Sequence, residues 1–280
     1  MILAGALLFA VVVALILWLW VRENRIEKSE FSPQTSDIRE APVEITPPPE
    51  HVAVLEHRFP IYQRLTSQQK RRLHALICCY IEDKTFVPCN GLETVTNEMK
   101  VLIGAHAALL ALNRPIWMYP TLHTIRVYPH AFDSTDHQGK VHKMIGESEE
   151  AGTVSLAWDW TKHGAEHAGD GKNPALHEFT HQLDQESGDT DGMPLLASAG
   201  ISEATWMLAF MLTFQQVVDQ IDAEKESLFN DYGLSHPAEL FAAGAERFFE
   251  KPRELRDEHA ALYRNLSQFF GFDPAEEWFD

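Results

Sequence analysis

The stretch His177-Glu178-Phe179-Thr180-His181 restricts the fold more than any other part of this chain. Two histidines four residues apart face the same way on a helix, where their rings can close on a single ion. The flanks support that reading. Pro174 suits a first helical position. Leu176, Phe179 and Leu183 form an apolar stripe, while His177, His181 and Asp184 share the adjoining face. A helix over about 174–185, half-buried against a core, is therefore expected. Zinc takes nitrogen and carboxylate donors in a tetrahedron. Glu178 stands beside the histidines, where it can accept a proton from a metal-bound water.

A catalytic zinc needs a third protein ligand and one open position. Asp184 shares the histidine face but lies very close along the helix, and is better suited to orienting a ligand imidazole. Glu203, 22 residues past His181, has the spacing of the third ligand in thermolysin-like enzymes. Glu239 lies in Pro237-Ala238-Glu239-Leu240-Phe241-Ala242, on a helix whose apolar residues would hold it inward. Glu246, seven residues later, shares that face and could buttress it. The metzincin pattern wants Gly at 184 and a ligand at 187, where this chain has Asp184 and Ser187. The residues alone leave Asp184, Glu203 and Glu239 open.

The N-terminus makes a different demand. Ile2 to Val21 carries no charge, and a helix of that length spans roughly the 30 Å of a bilayer core. Nothing basic precedes the run and no small-x-small site follows it, which favours an anchor over a cleaved signal peptide. Arg22, Arg25 and Lys28 follow it, so positive-inside logic places the remainder in the cytoplasm. The expectation is one pass through a bacterial inner membrane. Residues 23–56 are polar, with Pro47, Pro48 and Pro49 in succession, and read as a linker. Three cysteines (Cys78, Cys79, Cys89) exclude a disulfide scaffold and suit a reducing compartment. Lys and Arg number 23 against 41 Asp and Glu, a net charge of -18. That argues against nucleic acid as a partner, and Lys70-Arg71-Arg72 reads as a solvated helix face.

From residue 57 on, a single α+β domain is expected, mostly helical with a small antiparallel or mixed sheet. Thr66 and Gln69 form a capping box for a helix to Asp83, and a second, buried helix runs from Asn97 to Asn113. Strands are expected at His123–Tyr128, Lys140–Gly146 and Thr153–Trp158, and His163–Asn173 reads as a Gly-rich loop. Further helices follow at Glu203–Gln220, Pro237–Phe249 and Pro252–Phe270. The strand at Thr153–Trp158 either pairs with an extended substrate or is an ordinary core strand. His163 and His167 lack an apolar stripe and are weak candidates for a second metal. Asn265-Leu266-Ser267 fits a glycosylation acceptor that a cytoplasmic location would make irrelevant.

The segments Leu176–Asp184 (LHEFTHQLD), Tyr232–Ala242 (YGLSHPAELFA) and Glu246–Leu255 (ERFFEKPREL) together resemble the MtfA-type, glucose-regulated zinc metallopeptidases. More distantly they resemble the catalytic domain of anthrax lethal factor. Phe59–Leu73, Gly91–Asn113 and Tyr119–Pro129 extend the likeness, which covers roughly residues 55–275. The resemblance implies a zincin-like domain holding one zinc per chain through His177, His181 and Glu239, with Glu178 as general base. It also implies that Tyr232 stabilises the oxyanion. Asp184 and Glu246 stand behind the ligands. A peptide or protein is the implied substrate, cut at its amino end or internally, and the bilayer holds residues 2–21. The competing expectation is a regulatory module that binds another protein and whose zinc is structural or vestigial. The intact Glu178 argues for catalysis, since a structural site needs no base.

Overall fold

Thr66 opens the first long helix as expected. Its hydroxyl accepts from the Gln69 N–H at 3.3 Å, and the Gln69 side chain accepts from the Thr66 N–H at 2.8 Å. Two N–H groups that a helix start leaves over are thus satisfied reciprocally. The computed structural model describes residues 45–114, 119–135, 139–149, 151–229 and 235–278. Two short helices, α1 (Pro49–Arg58) and α2 (Pro60–Arg64), precede the capped helix α3 (Ser67–Asp83). Then come β1 (Thr85–Pro88), α4 (Asn97–Leu110), β2 (Thr124–Tyr128), β3 (Phe132–Thr135), β4 (Val141–Met144), β5 (Gly146–Glu149) and β6 (Thr153–Ala157). The rest is helical: α5 (Trp158–Glu166), α6 (Pro174–Gln185), α7 (Glu203–Asp222), α8 (Pro237–Glu250), α9 (Pro252–Glu258), α10 (Ala260–Phe270) and α11 (Pro274–Glu277).

The main sheet is mixed, in the order β1-β2-β6-β5. β1, β2 and β6 are parallel, and β5 returns antiparallel along β6. β3 and β4 form a separate antiparallel hairpin. The crossover from β1 to β2 runs through α4, which is buried on every residue from Val101 to Leu110. A helix apolar all round must be surrounded by protein, and α4 packs against α1, α3, α5 and α6. Against this centre α6 buries Leu176, Phe179 and Leu183. Phe179 meets the rings of Tyr80 and Tyr119 at 5.8 and 5.6 Å. The other side of α6 packs on α8. Behind α8, Phe241 meets Trp206 and Phe269, and Phe248 and Phe249 meet Phe270.

Several boundaries differ from expectation. The expected linker ends early: α1 begins at Pro49, and its His51 and Leu55 are buried. The expected strand Lys140–Gly146 is broken at Ile145, so that β4 and β5 belong to different sheets. The expected loop from His163 is helical as far as Glu166. Pro252–Phe270 is two helices that break at His259. β6 is interior, paired on both edges and buried at all five residues. It is a core strand and has no edge for a substrate. Asn265 is buried, and its amide donates to the Thr205 carbonyl. Among the described residues no helix is long and apolar enough to cross a membrane. The apolar run 2–21 and most of the expected linker lie outside the described residues.

Candidate metal centre

His177 and His181 leave α6 one turn apart, with ring centroids 4.9 Å from each other. Glu239, in the first turn of α8, meets both. His177 Nε2 lies 3.1 Å from Glu239 Oε2, and His181 Nε2 lies 3.4 Å from Glu239 Oε1. Two donors bound to one tetrahedral zinc at about 2.0–2.1 Å would stand about 3.3 Å apart. The three side chains therefore fit such an ion in both donor type and spacing. Among the described residues they form the single His/Cys/Asp/Glu group of three or more whose ligand atoms all lie within 4.8 Å. Glu203 is not in that group and sits exposed at the start of α7. His163 and His167 stack with centroids 4.3 Å apart, and His163 Nε2 meets Asp170 at 2.6 Å instead of converging with His167 on a third donor.

Burial alone would lower the His177 pKa. The Glu239 hydrogen bond and the Glu178 and Glu246 carboxylates outweigh it and push it up to about 9. Glu239 is held well below the usual carboxylate range: its hydrogen bonds to His177 and His181 overcome the opposing effect of burial. His177 thus carries a proton that an incoming cation must displace. Glu178 moves the other way. Burial raises its pKa, the two histidines pull it down, and Glu239 and Glu147 add to the rise. A carboxylate with raised proton affinity is suited to general-base work. Its side chain lies over Gly146 at the start of β5, where a Cβ would stand 2.6 Å from Glu178 Oε1.

Asp184 is fully buried, and its Oδ2 accepts from the Gly192 N–H at 2.7 Å. Gly192 has a φ of +78°, and a Cβ there would lie 2.6 Å from the backbone of Pro237, the first residue of α8. Its carbonyl accepts from Trp206 Nε1 at 2.8 Å. This turn thereby joins α6, α7 and α8. Glu246 has one oxygen 4.0 Å from His177 Nδ1, while the other accepts from the Asn173 N–H at 2.5 Å. Tyr232 lies outside the described residues. The sequence reading missed Gly146, Gly192, Asn173 and Glu250. Asn173 alone carried a local signal, as an Asn directly before a helix-opening proline.

The family model described as glucose-regulated metallo-peptidase M90 matches residues 24–271. This chain belongs to that family. Among similar proteins, an uncharacterized protein of Synechocystis sp. is 36% identical over 236 residues, covering 81% of this chain and 85% of its own length. Mlc titration factor A of Escherichia fergusonii is 28% identical over 251 residues, covering 84% of this chain and 90% of its own. Mlc titration factor A of Yersinia pestis is 28% identical over 228 residues, at 77% and 82%. The MtfA-type resemblance is thus confirmed. Membership in the M90 metallopeptidases places the chain in a metallopeptidase-related class and suggests a metal, typically zinc, for which His177, His181 and Glu239 offer the matching donor set.

Proposed function

We propose that this M90 chain is a membrane-anchored, zinc-dependent peptidase acting in the cytoplasm. The convergence of His177, His181 and Glu239 beside the buried Glu178 is the observation that carries the reading. Zinc held by the three side chains would act as a Lewis acid and lower the pKa of a bound water. Glu178 would serve as the general base, taking a proton from the attacking water and handing it to the leaving amine. Glu246, near His177 Nδ1, keeps that imidazole turned with Nε2 toward the centre. Tyr232 is assigned to the oxyanion on the resemblance alone. An extended substrate would pair with β5, the outer strand of the main sheet, which packs beside α6. Residues 2–21 anchor the chain in a bacterial inner membrane.

The test is zinc content and peptide hydrolysis on wild type, Glu239→Ala and Glu178→Gln. One zinc per wild-type chain, lost in Glu239→Ala, is expected. Glu178→Gln should keep the zinc and lose about 10²–10⁴-fold in hydrolysis. Wild-type hydrolysis by Glu178→Gln would refute the mechanism. A second reading, binding of a regulatory protein, is favoured by the name of the 28%-identical relatives, titration factors. It predicts partner binding that is unchanged in Glu178→Gln.

A further inference from the structure

α8 carries a row of glutamates on one face, Glu239, Glu246 and Glu250, at offsets of seven and eleven residues. Those offsets return to nearly the same angle on an α-helix. Glu239 meets the two histidines, and Glu246 stands by His177 Nδ1. Glu250 faces the start of α6. It is only 3% exposed, and both its oxygens accept from uncharged donors: Asn173 Nδ2 at 2.9 Å and the Gly169 N–H at 2.6 Å. Burying a carboxylate with no cationic partner among the described residues is costly, and a hydrogen-bonded one is kept where it fixes geometry.

Asn173 is the point on which that carboxylate acts. It is fully buried at the N-cap of α6. Its Oδ1 accepts from the Leu176 N–H at 3.1 Å, and its carbonyl accepts from the N–H of His177 itself, also at 3.1 Å. Its Nδ2 also reaches the Gly164 carbonyl of α5 at 3.2 Å. Its backbone N–H donates to Glu246. Every polar group of Asn173 is thereby committed, and two of its bonds run to α8.

We infer that Glu250 and Asn173 are positioning residues that set the rise and rotation of α6 against α8, so that His177 and His181 meet Glu239. The inference rests on the metal reading of that centre and adds to it two residues that touch neither metal nor substrate. Glu250→Ala removes both acceptors. Asn173→Asp sets one carboxylate against another. The pair Asn173→Asp with Glu250→Gln restores the α6–α8 link in reverse, with Gln donating to Asp while its oxygen still accepts from Gly169, and leaves only the bond to the Gly164 carbonyl lost.

The experiment measures zinc affinity by chelator competition on the purified full-length chain. It adds hydrogen exchange at the Leu176 and His177 amides of the zinc-free protein, and Tm. Leu55→Ala, in α1, is the control for a general loss of stability. Glu250→Ala and Asn173→Asp should each bind zinc about tenfold or more weakly, with faster exchange in the first turn of α6. The double variant should recover part of both relative to Asn173→Asp, since the Gly164 bond stays lost, and Leu55→Ala should lower Tm with wild-type zinc affinity. Where Glu250→Ala fails to fold, Asn173→Asp and its double variant still decide the matter. Wild-type zinc affinity in folded single variants, or no recovery in the double, overturns the inference and leaves the metal reading standing. A wild-type chain that takes up no zinc overturns both.

Discussion

Replacing Gly192 by alanine tests how the turn after α6 controls the metal centre. At a φ of +78° the methyl group costs about 1–2 kcal/mol in backbone strain. The new Cβ would also lie 2.6 Å from the C and O of Pro237 and 3.0 Å from the Ala238 nitrogen. These are backbone atoms that cannot swing aside. Ordinary contact begins near 3.4 Å, so the start of α8 must retreat by about 0.8 Å (3.4 − 2.6), adding about 1–2 kcal/mol of overpacking. The sum, about 2–4 kcal/mol, corresponds to a fall in Tm of about 5–15 °C for a domain of this size. Glu239 is two residues beyond Pro237, and metal–ligand distances tolerate only about 0.2 Å. Zinc affinity should therefore fall about tenfold or more. Scanning calorimetry on the zinc-free chain gives the first quantity and chelator competition the second. A Gly192→Ala chain with unchanged Tm would refute the steric argument. A lowered Tm with unchanged zinc affinity would refute the transmission from this turn to Glu239.

The remaining predictions concern neighbouring groups. His177 titrates near 9, so below that pH each zinc bound displaces a proton, and affinity should rise about tenfold per pH unit toward 9. Calorimetry in buffers of different ionisation enthalpy counts that proton; none released at pH 7 would contradict the assignment. Because this pKa is raised, its contribution to the stability of the zinc-free protein is complete below about 6.5 and is lost as pH rises through about 9. Urea titrations across that range should show the decline. Gly146→Ala pushes a methyl group against Glu178 and should cost about 10²-fold in kcat with zinc content unchanged; loss of zinc instead would show that α6 had moved. Arg114 and Glu186 form a buried ion pair at 3.3 Å between the end of α4 and the end of α6. Arg114→Met should cost about 3–5 kcal/mol, and an unchanged urea midpoint would show that the pair contributes little.

The metal helix was legible because its signal is local. A helical stripe of Leu176, Phe179 and Leu183 beside His177 and His181 requires no knowledge of the partner helix. Glu239 could be chosen over Glu203 and Asp184 only through family resemblance, since loop lengths do not say which distant helix returns. Helical phase put Asp184 on the ligand face, but its bond to the Gly192 turn lay beyond any local pattern. Gly146 and Gly192 were illegible because the atoms that exclude a side chain come from remote elements. Glu250 carries no local signal near its helix end, and only tertiary burial sets it apart. β6 misleads by its pattern: Thr153-Val154-Ser155-Leu156 alternates polar and apolar, as a strand with one solvated face does, yet all five of its residues are buried. α1 was missed because the prolines at 47–49 read as linker, although proline is also the preferred opening residue of a helix.

The separation of the donors along the chain gives the centre a timing. Glu239 follows His177 by 62 residues. At about 5–20 residues per second of synthesis, the ribosome makes the two histidines some 3–12 s before the carboxylate that joins them. During that interval a nascent chain holds a two-histidine half-site, unable to present the complete donor set. On the proposed function, hydrolytic competence would thus appear only after α8 has left the ribosome and closed on α6. A chain arrested before residue 239 would hold the two histidines without the carboxylate that closes the group.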